Sequence, residues 1–197
     1  MNLLKGNNLG KQFNQRWLFR NASIDINSTD QISLSGPNGA GKTTLMKILT
    51  GISRPSEGKL SIPGWRISVI GQSPMLYKHL TCLDNLRFFS SAPDQEIRKE
   101  LKNVQLLMHS NRVLAEFSKG MIQKTLIALA VLRKPDFLFL DEPFTALDQE
   151  GTVYLNKQLA QLAESNVGYL LIDHNRDRLM DLTSRHLLLE KNSLTEL

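Results

Sequence analysis

The sequence predicts an α/β fold built around a mainly parallel sheet. Three observations carry that prediction. The run Gly36-Pro37-Asn38-Gly39-Ala40-Gly41-Lys42-Thr43-Thr44 fits the pattern G-x-x-x-x-G-K-[ST] without a gap, between a strand-like Gln31–Ser35 and a helix-like stretch from Thr44 to Gly51. Two continuous apolar runs, Phe137–Leu140 and Val167–Ile172, are too short for helices and read as strands buried on both faces. Between the first and second of these features lies an amphipathic, helix-rich section, about 73–134, that reads as a subdomain inserted into the strand–helix alternation.

Taken in order, Leu3–Leu9 and Ser23–Ile26 read as short strands joined through a polar connection at 11–16. The glycine loop follows its strand, and Arg54–Gly58 is a turn. Lys59–Ile62 and Arg66–Ile70 read as strands, and Gly71-Gln72-Ser73-Pro74 breaks the pattern. Thr81–Phe89 is helical, with Leu83, Leu86 and Phe89 on one face. Pro93 and the acidic turn Asp94-Gln95-Glu96 open another helix. Phe117-Ser118-Lys119-Gly120 introduces a strongly apolar helix, Met121–Leu132, closed by Lys134-Pro135. A helix spans Gln149–Glu164, a shorter one Asn175–Thr183, and Arg185–Glu190 with Ser193–Leu197 end the chain as strands.

A chain of 197 residues suits a single domain, 1–197, that buries roughly 70% of its unfolded surface. Its 41% hydrophobic and 22% charged residues are ordinary for a globular protein. The formal charge of +5 suits nucleotides, nucleic acid or an anionic surface without choosing among them. Cys82 is the only cysteine, so no intrachain disulfide forms; it reads as a small buried hydrophobe. No apolar run reaches the roughly 18–20 residues of a membrane span, and Met1–Gly6 shows no secretory leader. Any membrane role needs a partner that supplies the spans.

The chemistry follows from residue types at strand ends. Glycines let the loop backbone wrap a phosphate and aim its N–H groups inward, while the helix start adds donors and a positive dipole end. Lys42 reaches phosphates as a mobile charge, and the Thr43 hydroxyl suits Mg²⁺. Asp141 and Glu142 end the first apolar strand, on the sheet edge where such folds bind ligands. Asp141 suits Mg²⁺, and Glu142 can orient and deprotonate an attacking water. His174 ends the next strand, so its imidazole belongs on the same edge. Gln72 follows a strand too, and its amide can ligate Mg²⁺ or position water. Aromatic rings at Phe13, Trp17 and Phe19 could each stack on a base, though for any one of them a core position is the simpler reading.

In this order and spacing, these residues resemble the nucleotide-binding subunit of an ATP-binding cassette (ABC) transporter over nearly the whole chain. The resemblance implies a phosphate-loop ABC ATPase fold with an N-terminal antiparallel β subdomain and a small inserted helical subdomain. It implies ATP and Mg²⁺ as cofactors. Phe13 is similar to the adenine-stacking aromatic, and Gly36, Asn38, Gly39, Gly41, Lys42, Thr43 and Thr44 belong to the Walker A loop. Gln72 matches the Q-loop, Asp141 and Glu142 the Walker B strand end, Thr145-Ala146-Leu147-Asp148 the D-loop and His174 the switch histidine. Phe117-Ser118-Lys119-Gly120-Met121 stands where the family carries LSGGQ; Ser118 and Gly120 remain, while Phe117, Lys119 and Met121 depart from it.

The family pattern implies a dimer in which Ser118 and Gly120 of one chain close over ATP held by another, with a homodimer the simplest assembly. It implies separate transmembrane permease subunits and a cytoplasmic position against the membrane, and a chain that stops soon after its last strands is expected to carry no regulatory C-terminal domain. Gln15–Arg20, Leu80–Phe89 and Leu140–Asp148 are similar to the compact ATPase subunit of cytochrome c biogenesis haem exporters; drug- or peptide-exporter ATPases are the alternative. A soluble family member acting on nucleic acid is disfavoured, because this chain has one cassette and no heptad run.

Overall fold

The computed structural model describes residues 3–71 and 76–197. The N-terminal strands are much longer than the sequence pattern indicates: β1 spans Leu3–Phe13 and β2 Arg16–Asn27. They form one antiparallel hairpin closed by Asn14 and Gln15, whose φ angles of 46° and 64° suit a tight two-residue turn. Register shifts between Gly6 and Gln12 break the two-residue alternation there, so the polar outer half of the hairpin does not look like strand. In β2 the alternation survives, with Ala22, Ile24 and Ile26 inward. β4 (Glu57–Ser61) joins β1 to complete a three-stranded sheet in the order β2-β1-β4, with β3 assigned to Gln31–Ser35.

The second sheet has six strands in the order β5-β6-β7-β3-β8-β9. β5 is Ile67–Ile70, β6 Phe137–Asp141, β7 Gly168–Ile172, β8 Arg185–Glu190 and β9 Ser193–Glu196. All neighbours pair in parallel except β8 with β9. Every residue of β6 and β7 is buried, which is why they read as unbroken apolar runs. Because β6, β7 and β3 are adjacent and parallel, the loops after Ser35, Asp141 and Ile172 leave the same edge.

Two apolar layers flank this sheet. On one face α1 (Lys42–Leu49) packs Leu45, Met46, Ile48 and Leu49 between the two sheets, with Phe19, Phe137 and Phe139. On the other, α4 (Lys119–Leu132) and α5 (Gln149–Glu164) cover Leu138, Leu140 and Leu171. A third cluster joins α2 (Cys82–Ser90) and α3 (Asp94–Asn103) to Ala128, Leu129 and Leu132 of α4. α4 is therefore apolar on two faces: Leu126, Ile127 and Ala130 meet the sheet side while the other face holds the helical unit.

Helix starts follow local chemistry. Thr81 accepts from the Asp84 N–H, Ser118 from Met121, Asp148 from Gly151 and Asn175 from Arg178 at the start of α6 (Arg176–Leu182). Pro93 stands one residue before α3, extended at φ −61° and ψ 146°, rather than within the first turn. α1 starts at Lys42, two residues before the expected Thr44, because Gly41 at φ 103° already ends the loop. Cys82 is fully buried beside the Thr125 hydroxyl, and burial pushes its thiol up. Among the described residues no helix is long and apolar enough to cross a membrane.

Candidate active site

The glycine loop is shaped by contacts that exclude side chains. At Gly36, φ is 143°, and a Cβ would lie 2.1 Å from the Leu189 carbonyl oxygen. At Gly41, φ 103° combines with Leu18 atoms 2.8 Å from a Cβ, so the loop presses onto the hairpin sheet. Lys42 is 8% exposed and donates to the Gly36 carbonyl at 2.8 Å and the Pro37 carbonyl at 3.0 Å, which holds its ammonium inside the loop.

The next residue makes the decisive link. The Thr43 hydroxyl donates to Asp141 Oδ2 at 2.7 Å, joining the helix start to the end of β6. Asp141 is 3% exposed, and its Oδ1 is buried without a hydrogen-bond partner. Burial raises its carboxyl above the usual range, against the opposing Thr43 hydrogen bond. An unpartnered buried carboxylate oxygen beside a threonine hydroxyl fits a hard divalent cation. Among the described residues no cluster of three or more His, Cys, Asp or Glu could hold a metal, so Asp141 and Thr43 are the protein ligands that the described residues offer here.

Glu142 turns sharply away from β6 at φ 51°, a left-handed conformation costing on the order of 1 kcal/mol for a non-glycine residue. Its N–H donates to the Ile172 carbonyl at 2.9 Å, which ties it to the end of β7. His174, two residues beyond, donates from Nε2 to Glu142 Oε1 at 2.8 Å. The imidazole thus fixes the carboxylate's orientation while leaving the second oxygen for a proton acceptor's role.

Residues that the sequence reading passed over hold this turn. Asp173 accepts from the Asn175 N–H at 2.7 Å and from Arg178 Nη1 at 3.0 Å. The Arg178 guanidinium also lies 4.1 Å from the Phe144 ring centroid, bridging the His174 turn to the loop after Glu142. Nothing in the sequence pattern of a short polar helix points to that bridge.

Other expected residues lie apart from this cluster. Among the described residues no hydrogen bond links Ser118 or Gly120 to residues 36–44. Ser118 caps α4 as its type suggests, accepting from the Met121 N–H at 3.2 Å. Gly120 has a second reason beyond ligand approach: a Cβ there would sit 2.6 Å from the Ala146 carbonyl oxygen of the same chain. Asp148 caps α5 and pairs with Lys124 Nζ at 2.8 Å, and that hydrogen bond holds its carboxyl below the usual range. Phe19 is core, but Phe13 is 55% exposed, with the Lys11 ammonium 5.3 Å from its ring centroid. Trp17 is partly buried under the Arg20 guanidinium. Gln72 lies outside the described residues.

A glycine loop, a threonine and an aspartate meeting across strand ends, and a glutamate–histidine pair beside them thus share one edge of the parallel sheet. A model of the ABC transporter family matches residues 19–145, so the chain belongs to that family. It is similar to the spermidine/putrescine import ATP-binding protein PotA of Legionella pneumophila strain Philadelphia 1, with 30% identity over 89% of this chain and 53% of that protein. It is also 30% identical to the sulfate/thiosulfate import ATP-binding protein CysA of Pseudomonas syringae pv. tomato, over 96% of this chain and 65% of that protein. The chain thus spans roughly half to two thirds of the length of these relatives. Among solved structures, an ATP-binding subunit of an ABC transporter superposes with a TM-score of 0.89 at 25% identity, covering 99% of this chain and 90% of that one. A putative metal-chelate type ABC transporter in an inward-facing conformation gives 0.79 at 28% identity, covering 98% and 82%. The fold is the ABC ATPase fold; the haem-export type finds no support in the two sequence relatives, whose names describe import.

Proposed function

We propose that this chain binds ATP with Mg²⁺ and hydrolyses it as the motor subunit of an ABC transporter, as a homodimer seated on separate permease subunits at the cytoplasmic face of a membrane. The observation that carries this reading is the Thr43–Asp141 contact at 2.7 Å beside the Glu142–His174 contact at 2.8 Å. Lys42 holds the β- and γ-phosphates, and Thr43 with Asp141 holds Mg²⁺, to which Gln72 adds an amide oxygen. The cation, when bound, neutralises phosphate charge and aligns the reacting group. Glu142 takes the proton of the attacking water while His174 keeps its carboxylate aimed. Phe13 stacks on the adenine through its exposed ring.

The second half of each site comes from the partner chain. The Ser118 helix start and the Gly120 backbone face the phosphates held by the partner, and Asp148 lies at the same interface. One chain alone cannot complete its own site, so ATP drives closure and hydrolysis releases it.

For cargo, the finer proposal remains the compact haem-export type, supported by the Leu140–Asp148 run. The import names of the relatives favour a second reading, an importer of small ions. Mass spectrometry of the membrane subunit that co-purifies with the chain separates the two. The activity itself is tested by Mg²⁺-dependent phosphate release from ATP, expected from the wild type and lost in Lys42→Ala. A wild type that releases no phosphate, alone or with its permease, overturns the proposal.

A further inference from the structure

His174 makes its contact with Glu142 from an exposed ring. Its side chain is 55% exposed, and among the described residues Glu142 Oε1 is the hydrogen-bond partner of its imidazole. Water surrounds the rest of the ring, so its aim depends on the turn that carries it.

That turn is closed on itself. Asp173 Oδ1 accepts from the Asn175 N–H at 2.7 Å, and Asn175 Oδ1 accepts from the Arg178 N–H at 3.0 Å. Arg178 Nη1 returns to Asp173 Oδ2 at 3.0 Å. These bonds make residues 173–178 one unit, but they do not set its tilt relative to Glu142. The Arg178 guanidinium reaches across to do so. It lies 4.1 Å from the Phe144 ring centroid, close enough for a planar cation to rest on the ring face. Phe144 is a firm base, two residues past Glu142. It is buried in one cluster with Leu138, Leu140 and Leu179, and the Pro143 carbonyl before it accepts from Gln123 Nε2 at 2.8 Å. The two sides of the Glu142–His174 contact therefore stand on the two sides of the Phe144–Arg178 contact.

From this geometry we propose that Arg178 and Phe144 are positioning residues for His174: their stack sets the tilt of the 173–178 turn and so holds the imidazole against Glu142. The flat face matters here, beyond the charge. A lysine supplies a cation opposite Asp173, but its ammonium is a compact point charge without a plane to lay on a ring. The effect on turnover rests on the proposed ATPase reading; the effect on the imidazole does not.

Four variants separate face from charge. Arg178→Lys keeps a cation beside Asp173, whose side chain is only 9% exposed, so no buried charge is stranded. Phe144→Leu removes the ring, Phe144→Tyr keeps it, and Arg178→Lys combined with Phe144→Leu completes a double-mutant cycle. The chain has four histidines, so imidazole NMR signals of the nucleotide-free protein report each ring separately. The expected result is a His174 signal that shifts and broadens in Arg178→Lys and in Phe144→Leu, with those of His79, His109 and His186 in place. Phe144→Tyr keeps the wild-type His174 signal. In steady-state ATP turnover, kcat falls about tenfold in each of the two disruptive variants while KM changes less than about twofold. Phe144→Tyr retains most of the turnover. The combined variant loses about tenfold rather than about a hundredfold, because both changes remove one contact. Should Phe144→Leu fail to fold, Arg178→Lys reads the same loss with the core intact. A His174 signal unmoved in Arg178→Lys, losses that multiply in the combined variant, or an equal loss in Phe144→Tyr overturns the inference and leaves the ATPase reading standing. A His174 signal that moves as expected in a chain without ATPase activity supports the positioning role and overturns the parent proposal instead.

Discussion

Replacing Asp141 by asparagine should stabilise the nucleotide-free protein while abolishing its response to Mg-ATP. The wild-type carboxylate is 3% exposed, keeps one oxygen hydrogen-bonded to Thr43, and leaves the other buried and unpartnered. An unpartnered buried polar atom costs about 1–3 kcal/mol, and more when charged. Asparagine keeps the acceptor for Thr43 and replaces the charged orphan by a neutral one, so the net gain is about 1–2 kcal/mol. In a chain of 197 residues that corresponds to roughly 2–8 °C in thermal midpoint. The pH dependence has a definite sign. Burial raises the folded-state carboxyl. Its stabilising contribution is therefore full below the unfolded carboxylate value and is lost as pH rises through the folded one. The variant lacks this loss, so its advantage grows from acid toward neutral pH. Calorimetry with and without Mg-ATP is the assay. At a hundredfold excess over Kd, ligand should add about 2.7 kcal/mol to the wild type and little to the variant. A variant that melts below the wild type without ligand, or gains as much from Mg-ATP, refutes the reasoning.

Other outcomes follow from the same geometry. Phe13→Ala should raise the KM for ATP about tenfold with kcat nearly unchanged, as loss of one stacking face predicts, measured in steady-state turnover. Gly120→Ala places a Cβ 2.6 Å from the Ala146 carbonyl, so helix start or loop must shift; turnover should fall at least about tenfold while nucleotide binding to the isolated chain persists. Leu155→Ala, at 1% exposure between α5 and the sheet, should cost about 2–5 kcal/mol in denaturant unfolding.

Sequence and structure agree most closely where an element has a clear local pattern and a clear end. β3 and α5 match residue for residue, and β6 and β7 lie within a residue of their expected limits, because fully buried strands and capped helices leave strong local patterns. The hairpin was least legible: its register shifts and polar outer half hide strands of 11 and 12 residues. That Thr43 meets Asp141 and Glu142 meets His174 at one sheet edge was legible from motif spacing and from the ends of their strands. The grip of Gln123 and Lys124 on the Pro143 carbonyl and Asp148 was not, since it depends on how α4 docks rather than on any local pattern. Gly120 shows the same limit: its glycine reads as room for a ligand, yet the chain's own Ala146 carbonyl already demands it. Phe13 and Phe19, alike in the sequence, separate into an exposed ring and a core ring only once β1 and β2 are paired.

The central claim is that ATP closes two copies of this chain around a site that neither completes alone. The solution mass of Glu142→Gln tests it most directly, because that substitution keeps the binding residues and removes the proton acceptor. Light scattering should report a monomer without nucleotide and a stable dimer holding two ATP when Mg-ATP is added. A variant that binds ATP and remains monomeric at every concentration, or that dimerises equally without nucleotide, contradicts the account.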